Sequence, residues 1–137
     1  MQEVLVVDDD GIYRTMMVRV LARVGFSVSG VRSGREALDH LKNGTPSVVV
    51  TDILMPDMDG LELIREIRRT GHGIGIVAIS GGGDPIFDFL PAASIFGADV
   101  TLKKPFELSA LVTAVQSLLG SRRPGPFPSS NGMTAGQ

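Results

Sequence analysis

An alternation between two periods narrows the possible folds more than any other feature of this chain. Short, nearly continuous apolar runs are followed by stretches that place an apolar residue every three or four positions. "EVLVV" (3–7), "FSVSGV" (26–31), "SVVVTDI" (47–53), "GIVAIS" (75–80) and "DVTLKKP" (99–105) read as strands. Between them, residues 12–24 put Ile12, Met16, Met17, Val20, Leu21 and Val24 on one helical face, with Gly25 as C-terminal cap. "SGREALDHLKNG" opens on a capping box from Ser33 to Glu36 and ends at Gly44. "DGLELIREIRRTG" (59–71) is amphipathic. "ELSALVTAVQSLLG" (107–120) turns Leu108, Leu111, Val112, Val115, Leu118 and Leu119 inward. A strand that is apolar throughout has to be covered on both faces. Five of them joined by helices predict an α/β fold, a doubly wound five-stranded parallel sheet with helices on both sides. Sites in such folds form beyond the carboxyl ends of the strands.

Residues 81–98 fit the alternation least well. "GGGDP" signals a loop, and Pro91 falls where a fourth helix should run. Either that helix is kinked, or it begins near Pro91, where proline is tolerated in a first turn; the second reading is preferred. Residues 1–120 form one domain. The tail, "GSRRPGPFPSSNGMTAGQ", has too little apolar surface to order itself, so residues 121–137 are expected to be disordered. No Cys is present, which excludes disulfides and thiolate chemistry. No apolar run is long enough for a membrane span and no secretory leader is visible, so the expectation is a cytoplasmic protein. The net charge is −2 and becomes −4 once Arg122 and Arg123 are set aside, because no acidic residue follows Glu107. That argues against direct nucleic-acid binding, which wants a basic face. It suits a site that holds a cation.

The carboxyl ends of the strands carry the chemistry. The first ends at Asp8 and Asp9, the third at Asp52, the fourth at Ser80 and the fifth at Lys104. With strand order 2-1-3-4-5, these four strands are neighbours, and one pocket gathers three carboxylates, a hydroxyl and an ammonium. Clustered carboxylates invite a hard divalent cation such as Mg²⁺. A carboxylate can also attack phosphorus to give an aspartyl phosphate. Phosphoryl transfer needs positioning and charge neutralisation, which Mg²⁺, Lys104 and the Ser80 hydroxyl would supply.

These residues carry a family resemblance. "VVDDD" (6–10), "VTDILMPDMDG" (50–60), "IS" (79–80) and "KPF" (104–106), in this order and spacing, resemble the receiver domain of two-component response regulators, over about residues 3–120. The resemblance implies a flavodoxin-like fold and a stand-alone, chemotaxis-regulator-like receiver. It implies that Asp52 accepts the phosphoryl group, that Ser80 is the switch hydroxyl and that Lys104 contacts the phosphoryl group. Asp9 and Asp52 would ligate Mg²⁺ directly, Asp8 through water and Leu54 through its backbone carbonyl. Pro105 matches a proline usually preceded by a cis peptide bond. The donor would be a phosphohistidine on a sensor histidine kinase or a histidine phosphotransfer protein. The output would be a protein target met through the face of the fourth helix, fifth strand and fifth helix. The protein would catalyse phosphorylation and dephosphorylation only at its own Asp52, and would turn over no external substrate.

The sequence also departs from the pattern. Many receivers carry Tyr or Phe where this chain has Thr101, which puts a swinging-aromatic switch in doubt. The "GGG" run after Ser80 is either a hinge that moves with the following helix or only a longer turn. Asp10 is read as a helix cap, and Asp57 and Asp59 as turn and cap residues. His40 and His72 are read as solvated, and Met16 and Met17 as core. Most of Phe87, Phe89 and Phe96 are read as core, with one reserved for an output surface. Arg14, Arg19 and Arg23 are expected to face outward and dock the donor. Two other functions are weighed. A phosphatase or mutase using an aspartyl phosphate typically places a second Asp where Leu54 stands. A scaffold that no longer takes phosphate would lack one of the key residues, and none is missing.

Overall fold

The computed structural model describes residues 3–56, 58–70, 73–81 and 90–121. Ten elements alternate along it: β1 (Glu3–Val7), α1 (Gly11–Val24), β2 (Ser27–Val31), α2 (Gly34–Lys42), β3 (Val48–Asp52), α3 (Gly60–Arg69), β4 (Gly75–Ser80), α4 (Leu90–Phe96), β5 (Val100–Lys103) and α5 (Leu108–Ser121). The five strands form one parallel sheet in the order β2-β1-β3-β4-β5, as expected. β3 and β4 are buried at every residue, which is why they lack the polar alternation of a half-exposed strand. Alternate residues feed two cores. Leu5, Val7, Val49, Ile76 and Ala78 pack on Leu63, Ile64 and Ile67 of α3 and Ala93 of α4. Val4, Val6, Val50, Val77 and Ile79 pack on Met17 and Leu21 of α1 and Leu111 and Val115 of α5. Each of the Val, Leu, Ile and Met side chains among them contributes about 1.5–3 kcal/mol on burial.

The caps follow the sequence closely. Asp10 accepts hydrogen bonds from the amides of Ile12 (2.9 Å) and Tyr13 (3.4 Å), and Asp59 accepts from Glu62 (2.9 Å). Ser33 Oγ accepts from the Glu36 amide at 3.1 Å, and Glu36 reaches back to the amide of Arg32. Gly25 closes α1 with a φ of 113°. Pro91 lies within α4 (Leu90–Phe96). The expectation about where that helix begins bears on residues 82–89, which lie outside the described residues. Arg68 ties the layers together from α3. It donates to the carbonyls of Gly97 (3.0 Å) and Ile74 (2.6 Å) and to Asp99 (2.9 Å), which also accepts from the Ile76 amide.

Several side chains stand elsewhere than expected. Ile12 is 75% exposed and Met16 37%, and Val24 and Leu108 are also exposed. The buried stripe of α1 is narrower than its apolar arc: Met17 and Leu21, one turn apart, fill it. Ile12 and Met16 lie to one side of that stripe. His40 is not simply solvated, because its Nε2 lies 3.0 Å from Glu3 Oε2 on β1. Phe96 is partly exposed, with the Arg65 guanidinium 6.0 Å from its ring. The expectations for Asp57, His72, Phe87, Phe89, Gly82, Gly83, Arg122 and Arg123, and for the tail after Ser121, lie outside the described residues.

Candidate functional site

The sheet delivers its charges to one edge. Asp52 is the last residue of β3 and Ser80 the last of β4, and both are almost fully buried. Asp8 follows β1 and has no exposure, and Lys104 follows β5. The backbone ladder runs one step past the strands to fix them. The Asp8 amide donates to Val31 (3.1 Å), the Ile53 amide to Ile79 (2.9 Å) and the Lys104 amide to Ser80 (2.8 Å).

Two buried carboxylates side by side are costly unless partnered. Asp8 Oδ1 accepts from the Asp10 amide and Asp52 Oδ1 from the Ile53 amide, each at 2.9 Å. The Oδ2 atoms of both face Lys104 Nζ at 3.4 Å. Asp9 is exposed, yet it offers an oxygen within 4.8 Å of oxygens from Asp8 and Asp52. Burial first, then the Asp8 charge, raises the pKa of Asp52 to about 6, against the pull of Lys104. Burial also raises Asp8. Burial alone would lower Lys104, but Asp52 and Asp8 outweigh it and hold the ammonium above its usual range. Leu54 lies two residues past Asp52, and its half-exposed apolar side chain leaves only its main chain to offer a cation.

Other residues at the site were not legible in advance. Arg14 does not simply face outward: it donates from Nη1 to the Asp8 carbonyl at 2.8 Å, and its stem lies against Gly30. The Tyr13 ring lies under Lys104, with Nζ 4.0 Å from its centroid, and its centroid is 6.1 Å from that of Phe106. The signal for Tyr13 and Arg14 was their place in the first turn of a helix starting three residues after Asp8. Gly60 is dictated by contact. A Cβ there would strike the Asp52 carbonyl oxygen and the Ile53 Cα, and its amide donates to Ile53 at 2.7 Å. The Lys104–Pro105 peptide bond is cis, as the resemblance implied. Thr101 sits mid-strand, paired in register with Ala78.

The family model of the response regulator receiver domain matches residues 4–116. The chain belongs to the response-regulator receiver family. This receiver is 37% identical over 131 residues to the response regulator MprA of Mycobacterium sp. (strain KMS), covering 96% of this chain and 56% of the relative. MprA of Mycolicibacterium vanbaalenii is 38% identical over 121 residues, covering 88% and 52%. The receiver thus spans about half the length of these relatives. Among solved structures, a response regulator receiver domain protein from Clostridium thermocellum superposes with a TM-score of 0.81 at 26% identity, covering 90% of this chain and 98% of that one. The receiver domain of the TMAO respiratory system response regulator TorR gives 0.79 at 28% identity, covering 88% and 98%.

Receivers are modules of two-component signalling, and their acidic pocket is a Mg²⁺ site. The residues of this receiver fit that ion. Its three converging carboxylates are hard oxygen donors. Against these three carboxylates the pocket sets one ammonium, Lys104, 3.4 Å from Asp8 and Asp52.

Proposed function

We propose that this receiver accepts a phosphoryl group on Asp52 from a phosphohistidine and thereby switches a protein-binding face. The observation that carries the reading is the convergence of Asp8, Asp52 and Lys104 within 3.4 Å contacts at the edge of the sheet. A carboxylate oxygen of Asp52 attacks phosphorus. The P–O bond forms as the P–N bond breaks, and the electron pair returns to the imidazole nitrogen of the donor. Lys104 neutralises a phosphoryl oxygen, and the Ser80 hydroxyl donates a hydrogen bond to another. Asp9 and Asp52 would hold Mg²⁺ directly, Asp8 through water and Leu54 through its carbonyl. When bound, the ion neutralises charge on the transferring group. The raised pKa of Asp52 applies to the metal-free protein, and a cation beside it favours the ionised nucleophile. The protein acts on its own aspartate and turns over no external substrate.

The donor surface is read differently from the arginine row. Arg14 is engaged with Asp8, whereas Ile12 and Met16, one turn apart on α1, are exposed beside the site. These apolar residues suit the apolar face of a helix that carries the phosphohistidine of a sensor histidine kinase or phosphotransfer protein. On the output side, β5 and α5 frame a groove of about 460 Å³, lined by Val100, Leu102, Ala110 and Ala114 among others. α5 carries no charged residue, so its target would be met mainly through apolar and hydroxyl contacts, with Glu107 as the one charged group among the described residues lining the groove. A cytoplasmic setting goes with this reading, with no direct contact to nucleic acid or membrane. Among the described residues, no helix is long and apolar enough to cross a bilayer.

Intact mass after incubation with acetyl phosphate and Mg²⁺ tests the reading. A single phosphate adduct is expected, absent in Asp52→Asn and absent with EDTA. No adduct from either acetyl phosphate or a phosphorylated histidine donor would favour the scaffold reading.

A further inference from the structure

Lys104 is confined on three sides, and the third is not a charge. Its Nζ lies 3.4 Å from carboxylate oxygens of Asp8 and Asp52 and 4.0 Å from the centroid of the Tyr13 ring. Tyr13 belongs to the first turn of α1, whereas Lys104 stands in the β5–α5 connection. The same ring neighbours Phe106, two residues past Lys104, with planes inclined at 41°. One aromatic ring therefore braces both the ammonium and the loop that carries it. The Lys104 side chain is only 12% exposed, so its attraction to the ring face is little weakened by water. A lysine is a flexible point charge with four carbons of stem, and carboxylates attract it without fixing its direction. A ring face adds a direction.

We propose that Tyr13 is a positioning residue for phosphoryl transfer. Its ring face holds the Lys104 ammonium beside the Asp52 oxygens, where incoming phosphoryl oxygens are to be neutralised. The inference rests on the proposed phosphorylation of Asp52. β5 contributes no aromatic side chain of its own, and the ring beside Lys104 comes from the first turn of α1.

Two substitutions separate a cation–ring role from mere packing. Tyr13→Phe keeps the ring, and Tyr13→Leu keeps apolar volume without the ring quadrupole. The full chain and both variants are incubated with acetyl phosphate and Mg²⁺ and followed by intact mass, with circular dichroism to verify folding. Tyr13→Leu is expected to take phosphate about fivefold more slowly, and Tyr13→Phe within about twofold of wild type. In parallel, the ring current should move the Lys104 ε-methylene proton resonances upfield in wild type and Tyr13→Phe, but not in Tyr13→Leu. Equal rates in wild type and Tyr13→Leu overturn the proposal, as does equal slowing in both variants. Unshifted ε-methylene resonances in wild type overturn it without any variant. A wild type that takes no phosphate from either acetyl phosphate or a histidine donor, yet keeps the upfield resonances, sinks the phosphorylation reading. The positioning role then falls with it, and a structural contact is left.

Discussion

Asp52 is a carboxyl at odds with its place in the metal-free protein. It is 5% exposed, and burial together with the Asp8 charge raises its pKa from 3.8 to about 6. The folded state therefore binds the Asp52 proton more tightly than the unfolded state does. The associated stability is full below about pH 4 and is lost as pH rises through 6. Asp8 shifts in the same direction, while Lys104 stays charged throughout and contributes no slope. Without divalent cations, urea melts should show lower stability at pH 7 than at pH 5. Asp52→Asn should gain about 1–2 kcal/mol at pH 7 and flatten the dependence. A wild type equally stable at both values would contradict this. Gly60 is the second sensitive residue, because a methyl group there meets the main chain of Asp52 and Ile53. Gly60→Ala should cost about 2–4 kcal/mol in chemical melts and lower the phosphorylation rate as the β3 end is displaced.

At the scale of elements, Arg68 is a strut far from the chemistry. It joins α3 to Ile74, which precedes β4, and to Gly97 and Asp99, which precede β5. These contacts lie at the amino ends of the strands, and the acidic pocket at the carboxyl ends. Arg68→Ala should therefore cost about 1–3 kcal/mol in urea melts, since it removes hydrogen bonds to two carbonyls and to the Asp99 carboxylate. The rate of acetyl-phosphate labelling should stay within about twofold of wild type. The elements themselves were legible because β3 and β4 are apolar at nearly every position, and the caps at Asp10, Ser33 and Asp59 announce the following helices. The pocket was legible because the parallel order brings four strand ends together. The orientation of α1 was not. Its apolar arc is wider than the stripe it buries, and periodicity alone cannot say which edge of that arc meets the sheet. Ile12 and Met16 were thus assigned inward and Arg14 outward. The contacts of Tyr13 and Arg68 were hidden for a related reason. They join residues distant in sequence, and no local pattern records such a meeting.

For the whole molecule, stability and the proposed phosphorylation meet at one site. A cation that binds the folded acidic pocket but not the unfolded chain stabilises by mass action. Mg²⁺ should raise Tm at pH 7, and the increment should shrink in Asp52→Asn and Asp9→Asn; an increment unchanged by either would place the ion elsewhere. α5 reaches Ser121 and the family match ends at residue 116. A chain cut after Ser121 should therefore keep its Tm within about 2 °C and be phosphorylated at an unchanged rate. Tyr13 has a further consequence at this scale. The sequence holds one Tyr and no Trp. Ultraviolet emission from the native protein is thus dominated by a single ring, 4.0 Å from the cation that faces Asp52. The unlabelled chain carries its own optical probe, placed where ion binding and phosphoryl transfer would change the local field.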